Sequence, residues 1–130
     1  MIQMTTLNKN TTVLMVDDEE DDYFILRDSF LEYNILNKIA RIEDGIELIP
    51  FLKKEGKYFD KELPILILLD LTMPKRNGYE ALLELKSDLQ FKSIPVIAFT
   101  TSSNEKDIEK MYQAGVNAFI TKPSSLNRIT

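Results

Sequence analysis

The sequence predicts an α/β fold: a doubly wound, open sheet of five parallel strands with helices on both faces. Three observations predict it. Short aliphatic runs recur five times, amphipathic helical stretches separate them, and the middle run, Ile65 to Leu69, is apolar without alternation. A strand that does not alternate polar with apolar residues is covered on both faces, as in the centre of a parallel sheet. A chain of 130 residues fits one such domain. The expected division is an N-terminal extension over residues 1–11 and one folded domain over 12–130.

The first strand is Val13 to Val16. The helix after it sets Tyr23, Leu26, Phe30 and Tyr33 at three- and four-residue steps, a stripe that should face the core. Ile39 to Ile42 is the second strand. The second helix, near Gly45 to Lys54, carries Pro50 well inside, where the missing amide hydrogen and the crowded Ile46 carbonyl predict a kink. The connection from Gly56 to Leu63 is longer than such units usually need. After the third strand, Asn77-Gly78 signals a turn, and Leu82, Leu85 and Leu89 fall in step on a helix from Tyr79 to Asp88. Val96 to Phe99 is the fourth strand. Ser102 and Glu105 then make a capping box, Ile108, Met111 and Tyr112 form the stripe, and Gly115 marks the stop before the fifth strand, Ala118 to Ile120. Seven residues, Ser124 to Thr130, follow Pro123. They allow about two helical turns, roughly 10 Å, so a fifth helix should be short or truncated. The uncovered sheet surface that results would invite a homodimer.

Composition excludes much. No apolar run is long enough to span a bilayer, and residues 1–10 lack the pattern of a secretory signal, so a cytoplasmic protein with no membrane partner is expected. There is no cysteine and no histidine, which removes disulfides, thiolate metal sites, cysteine nucleophiles and imidazole bases. A net charge of −5 opposes nucleic acid. Lys53, Lys54, Lys57 and Lys61 lack interleaved aromatics beyond Tyr58 and Phe59 and read as solvated surface.

In a doubly wound sheet a ligand sits outside the carboxyl ends of the strands, so function is sought there. Six acids in succession, Asp17 to Asp22, follow the first strand. Asp21 or Asp22 can be explained as helix-capping carboxylates. Asp17 and Asp18 cannot: directly after Val16 they would repel each other unless a cation sat among them. The third strand leads into Asp70, and if the first and third strands are neighbours, three carboxylates share a rim. That is a hard-cation site, suited to Mg²⁺ and, through Mg²⁺, to phosphate. Thr100, just past the fourth strand, can offer a hydroxyl to a phosphoryl oxygen, whereas Ser102 is better explained as a cap. Lys122, before Pro123, can neutralise the carboxylates and hold a phosphoryl oxygen, although a lone lysine before proline is usually a surface turn.

These residues stand in Val13-Leu14-Met15-Val16-Asp17-Asp18, Leu68-Leu69-Asp70-Leu71-Thr72-Met73-Pro74, Asn77-Gly78, Ile94-Pro95-Val96 with Phe99-Thr100, and Phe119-Ile120-Thr121-Lys122-Pro123. With them the chain resembles, from Thr12 to about Pro123, the receiver domains of two-component response regulators. It looks most like small single-domain regulators that serve phytochrome-type and hybrid histidine kinases. The resemblance implies a flavodoxin-like sheet in the order 2-1-3-4-5. It implies that Asp70 is the phosphoacceptor, that Asp18, Asp70 and the Thr72 backbone carbonyl hold Mg²⁺, and that Asp17 reaches the metal through water. Lys122 and Thr100 are implied to bind the phosphoryl group, and Thr72 and Ser102 to influence the hydrolytic water. Thr100 and the aromatic Phe119 are implied to switch the face made by the fourth helix, the fifth strand and the fifth helix, with plain core packing as the alternative for Phe119. A cis peptide before Pro123 is also implied. The expected partner is a sensor histidine kinase or a histidine phosphotransfer protein, and the protein is expected to be a stand-alone phosphoacceptor rather than a turnover enzyme.

Three rivals are weighed. A degenerate receiver would keep the fold as a phosphorylation-independent interaction module, yet all five key side chains are present. A haloacid-dehalogenase-type phosphatase needs Asp-x-Asp after its first strand, where this chain has Asp17-Asp18-Glu19. In a flavodoxin-type carrier the six acids would repel the flavin phosphate.

Overall fold

Thr12–Val16 (β1), Lys38–Ile42 (β2), Leu66–Asp70 (β3), Val96–Thr100 (β4) and Ala118–Thr121 (β5) pair in parallel in the order β2-β1-β3-β4-β5. This is the sheet and order expected, with each strand within one residue of its predicted bounds. The computed structural model describes residues 11–71, 78–100 and 105–122, with the Thr100 side chain excepted. The helices are Glu20–Glu32 (α1), Leu48–Leu52 (α2), Gly78–Ser87 (α3) and Glu105–Ala114 (α4).

The step from β1 to β2 runs one way along the sheet, and the later steps run the other. Right-handed crossovers therefore put α1 on one face and α2, α3 and α4 on the other. Leu14, Val16, Ile67, Leu69, Val96 and Ala98 meet Leu48, Phe51, Leu82, Leu85 and Met111 on the three-helix face, forming the main core. On the α1 face Val13, Met15 and Leu68 are buried, but Ile97 and Phe99 are half-buried and Ile120 is exposed.

Three expected elements differ from what is seen. The α1 stripe is not core. Tyr23, Leu26 and Phe30 are half-buried, Tyr33 is exposed, and the only buried residue of α1 is Asp22. The helix stops one residue before Tyr33. Asn34 takes a left-handed φ of 57°, and the Ile35 amide donates to the Phe30 carbonyl at 2.8 Å. In place of one helix from Gly45 to Lys54, a 3₁₀ turn, Gly45–Glu47, precedes α2. Pro50 is then the third residue of the α-helix, inside the first turn, where a backbone N–H has no intrahelical acceptor to lose. Leu89 is exposed rather than in step, because α3 ends at Ser87 and the Asp88 carboxylate accepts the Gln90 amide at 2.8 Å. Phe91, from the loop that follows, fills the core instead.

The fourth helix stops where expected, at Gly115 with φ 111°, its amide donating to the Met111 carbonyl at 3.1 Å. Ser102, the Lys122–Pro123 peptide, the fifth helix and residues 1–10 lie outside the described residues.

Candidate functional site

The strand register gathers the expected residues at one rim. Val16 lies opposite Leu69, and Asp70 opposite Phe99, so Asp17 and Asp70 emerge side by side. The Asp17 amide donates to the Ile42 carbonyl at 3.0 Å, and Arg41 Nε donates to the Asp17 carbonyl at 3.1 Å. The Glu19 amide donates to Asp17 Oδ1 at 2.8 Å. The loop after β1 is thereby fixed from both sides. The third strand is held by the approach of α3. A Cβ on Gly78 would collide with the Asp70 carbonyl and lie 2.7 Å from Leu71 Cα, so only glycine fits there.

Asp17, Asp18 and Asp70 each place a carboxylate oxygen within 4.8 Å of the others. Asp17 and Asp70 are 0% and 2% exposed, while Asp18 opens to solvent. Lys122, 8% exposed, reaches back over the rim. Its Nζ lies 2.7 Å from Asp22 Oδ2, 3.0 Å from Asp70 Oδ2 and 3.1 Å from Asp17 Oδ2, with the Phe99 ring centroid at 5.2 Å. Burial alone would lower the pKa of this ammonium. The bond to Asp22, the charges of Asp17 and Asp70 and the bond to Asp70 instead carry it above its ordinary value.

One lysine does not satisfy the cluster. Asp17 Oδ2 is buried and, among the described residues, is ion-paired with the Lys122 ammonium at 3.1 Å without a hydrogen bond. Burial pushes the Asp17 carboxyl up to about 7; the Glu19 amide lowers it, Asp22 raises it and Lys122 lowers it. A buried carboxylate oxygen with no hydrogen bond, among three converging carboxylates of which Asp17 and Asp70 share one ammonium, is the donor set a hard divalent cation takes, so the residues present fit Mg²⁺.

Of the other expected residues, Thr100 ends β4 at this rim, its backbone opposite Thr121. Its side chain and the Thr72 carbonyl lie outside what is described. Phe119 is half-buried against the main core, with its ring edge-on to Tyr112 at 6.2 Å. Two residues at the site were not anticipated. Asp22 was explained as a cap, yet it is Lys122's nearest partner; its membership of the acidic run was the available signal. Arg41, the one charged residue inside β2 between Ala40 and Ile42, announced itself only by being out of place in a strand.

A family model described as the response regulator receiver domain matches residues 13–130. The chain is 35% identical over 119 residues to Response regulator Rcp1 of Synechocystis, covering 92% of this chain and 81% of that protein. The structure of the phosphorylated cyanobacterial phytochrome response regulator RcpA superimposes with a TM-score of 0.82 at 36% identity, covering 92% of this chain and 85% of that one. The Mn²⁺-bound form of Rcp1 also gives 0.82, at 35% identity, covering 90% and 84%.

Proposed function

This chain belongs to the response-regulator receiver domain family, and from that premise we propose that Asp70 accepts a phosphoryl group in a Mg²⁺-dependent reaction. The observation that carries the proposal is the convergence of Asp17, Asp18 and Asp70 with the buried Lys122 ammonium on Asp70.

Asp70 and Asp18 would hold the ion with the Thr72 carbonyl, and Asp17 would reach it through water. When bound, the ion neutralises the carboxylates and the incoming phosphoryl charge. An Asp70 oxygen attacks phosphorus, and the bond from phosphorus to the donor's histidine nitrogen breaks. No general base is required, since an ionised carboxylate has no proton to lose. Lys122 meets a phosphoryl oxygen and Thr100 donates its hydroxyl to another. Thr72 and Ser102 influence how readily water later hydrolyses the acyl phosphate. Asp70 loses its own charge as the phosphoryl arrives, so the net gain is about one negative charge. Signalling therefore depends on geometry, as a population shift in which Thr100 and Phe119 repack the face around α4 and β5. The donor is a histidine kinase or a histidine phosphotransfer protein. The phytochrome system named for RcpA makes a phytochrome-type kinase the first candidate.

Incubation of the full chain with Mg²⁺ and acetyl phosphate, followed by intact mass, tests this. One added phosphoryl mass is expected, absent without Mg²⁺ and absent from Asp70→Asn. No addition to the unsubstituted chain, or the same addition to Asp70→Asn, overturns it.

A further inference from the structure

We infer that Asp22 competes with the phosphorylated Asp70 for the Lys122 ammonium, and so weakens the hold of this site on a phosphoryl group. The inference rests on the reading of Lys122 as the group that meets the phosphoryl oxygen.

Asp22 is the third residue of α1, where an acid ordinarily serves the free amides of its own helix. Here its carboxylate crosses the rim to a lysine 100 residues further along the chain. That contact, 2.7 Å, is shorter than the 3.0 Å from the same nitrogen to Asp70. Asp22 is 7% exposed, so water contributes little to stabilising its charge. It is also outside the set of carboxylates whose oxygens converge within 4.8 Å of one another. A cation held by Asp17, Asp18 and Asp70 therefore does not take the place of the Lys122 contact at Asp22.

Two consequences follow with the same sign. A phosphoryl oxygen at Asp70 must share the ammonium with a buried carboxylate that already holds it more closely. The Asp22 charge also repels the phosphoryl oxygens across a poorly screened gap. Asp22 acts through Lys122 and touches no reacting atom, which makes it a positioning residue. Its effect is to keep the phosphorylated state shallow, so that occupancy follows donor supply.

The test is an NMR titration of the full chain with beryllofluoride, a phosphoryl mimic, with Mg²⁺ saturating for each variant. Asp22→Asn is expected to bind the mimic about tenfold tighter, a size usual for coupling between charges in contact. Asp22→Ala should move the same way, which guards against one variant failing to fold. A second readout needs no metal. The ¹⁵N ammonium signal of Lys122, identified by its loss in Lys122→Arg, should exchange slowly in the unsubstituted chain and faster in Asp22→Ala. Unchanged or weaker binding in both variants, or an unchanged ammonium signal, overturns the inference while leaving the Asp70 reading intact. If the unsubstituted chain binds no beryllofluoride, the Asp70 reading fails and the inference fails with it.

Discussion

The two ends of the sheet both carry ion pairs, and they differ in what surrounds them. At the amino end, Lys38 and Glu62 meet at 3.6 Å with 65% and 54% of their side chains exposed. At the carboxyl rim, Lys122 meets Asp17, Asp22 and Asp70, and all four are buried. The exposed pair keeps its water and is worth about 0–1 kcal/mol. The buried group sets one ammonium against three carboxylates, an imbalance that folding alone does not favour. The difference teaches that the amino end is ordinary surface, whereas the rim holds negative charge in readiness for added positive charge.

The hardest blow to that contrast is Lys122→Met. It leaves three buried carboxylates without their cation, and metal-free stability should fall by about 3–5 kcal/mol in urea unfolding, with part recovered on adding Mg²⁺. A loss no larger than that of an exposed pair would erase the distinction between the two ends. Gly78→Ala sharpens it from the side of geometry. The added methyl must displace the backbone at Asp70 and Leu71, and about 1–3 kcal/mol should be lost, with weaker Mg²⁺ binding in calorimetry. The smallest effect belongs to the amino end: Glu62→Gln should change stability by less than about 1 kcal/mol and leave Mg²⁺ binding alone.

How much of this was legible beforehand follows the same division. The strands could be read because parallel strands buried on both faces demand continuous aliphatic runs, and Leu66–Asp70 is written that way. Asp17, Asp18, Asp70 and Lys122 could be read because alternation forces strand ends to one rim. Residues whose fate depends on what lies across from them could not. Periodicity places Tyr33 and Leu89 on stripes but is blind to the local bonds at Asn34 and Asp88 that end each helix early. Pro50 reads as a helix breaker until the 3₁₀ turn before it is seen. An acid in a first helical turn looks like a cap, and only the fold reveals that Asp22 faces Lys122.

The claim on which the rest depends is that the rim is destabilised by its own charge and relieved by a divalent ion. Asp17 keeps its proton up to about pH 7 when folded, against an ordinary value of 3.8 when unfolded. The folded chain therefore binds more protons across that window, and metal-free stability should fall as pH rises through it, levelling above about 7. Thermal unfolding at pH 5 and pH 8, with and without Mg²⁺, tests this directly. The account predicts lower metal-free stability at pH 8, a larger gain from Mg²⁺ there than at pH 5, and little of either in Asp17→Asn. Equal melting with and without Mg²⁺ at pH 8 would contradict it.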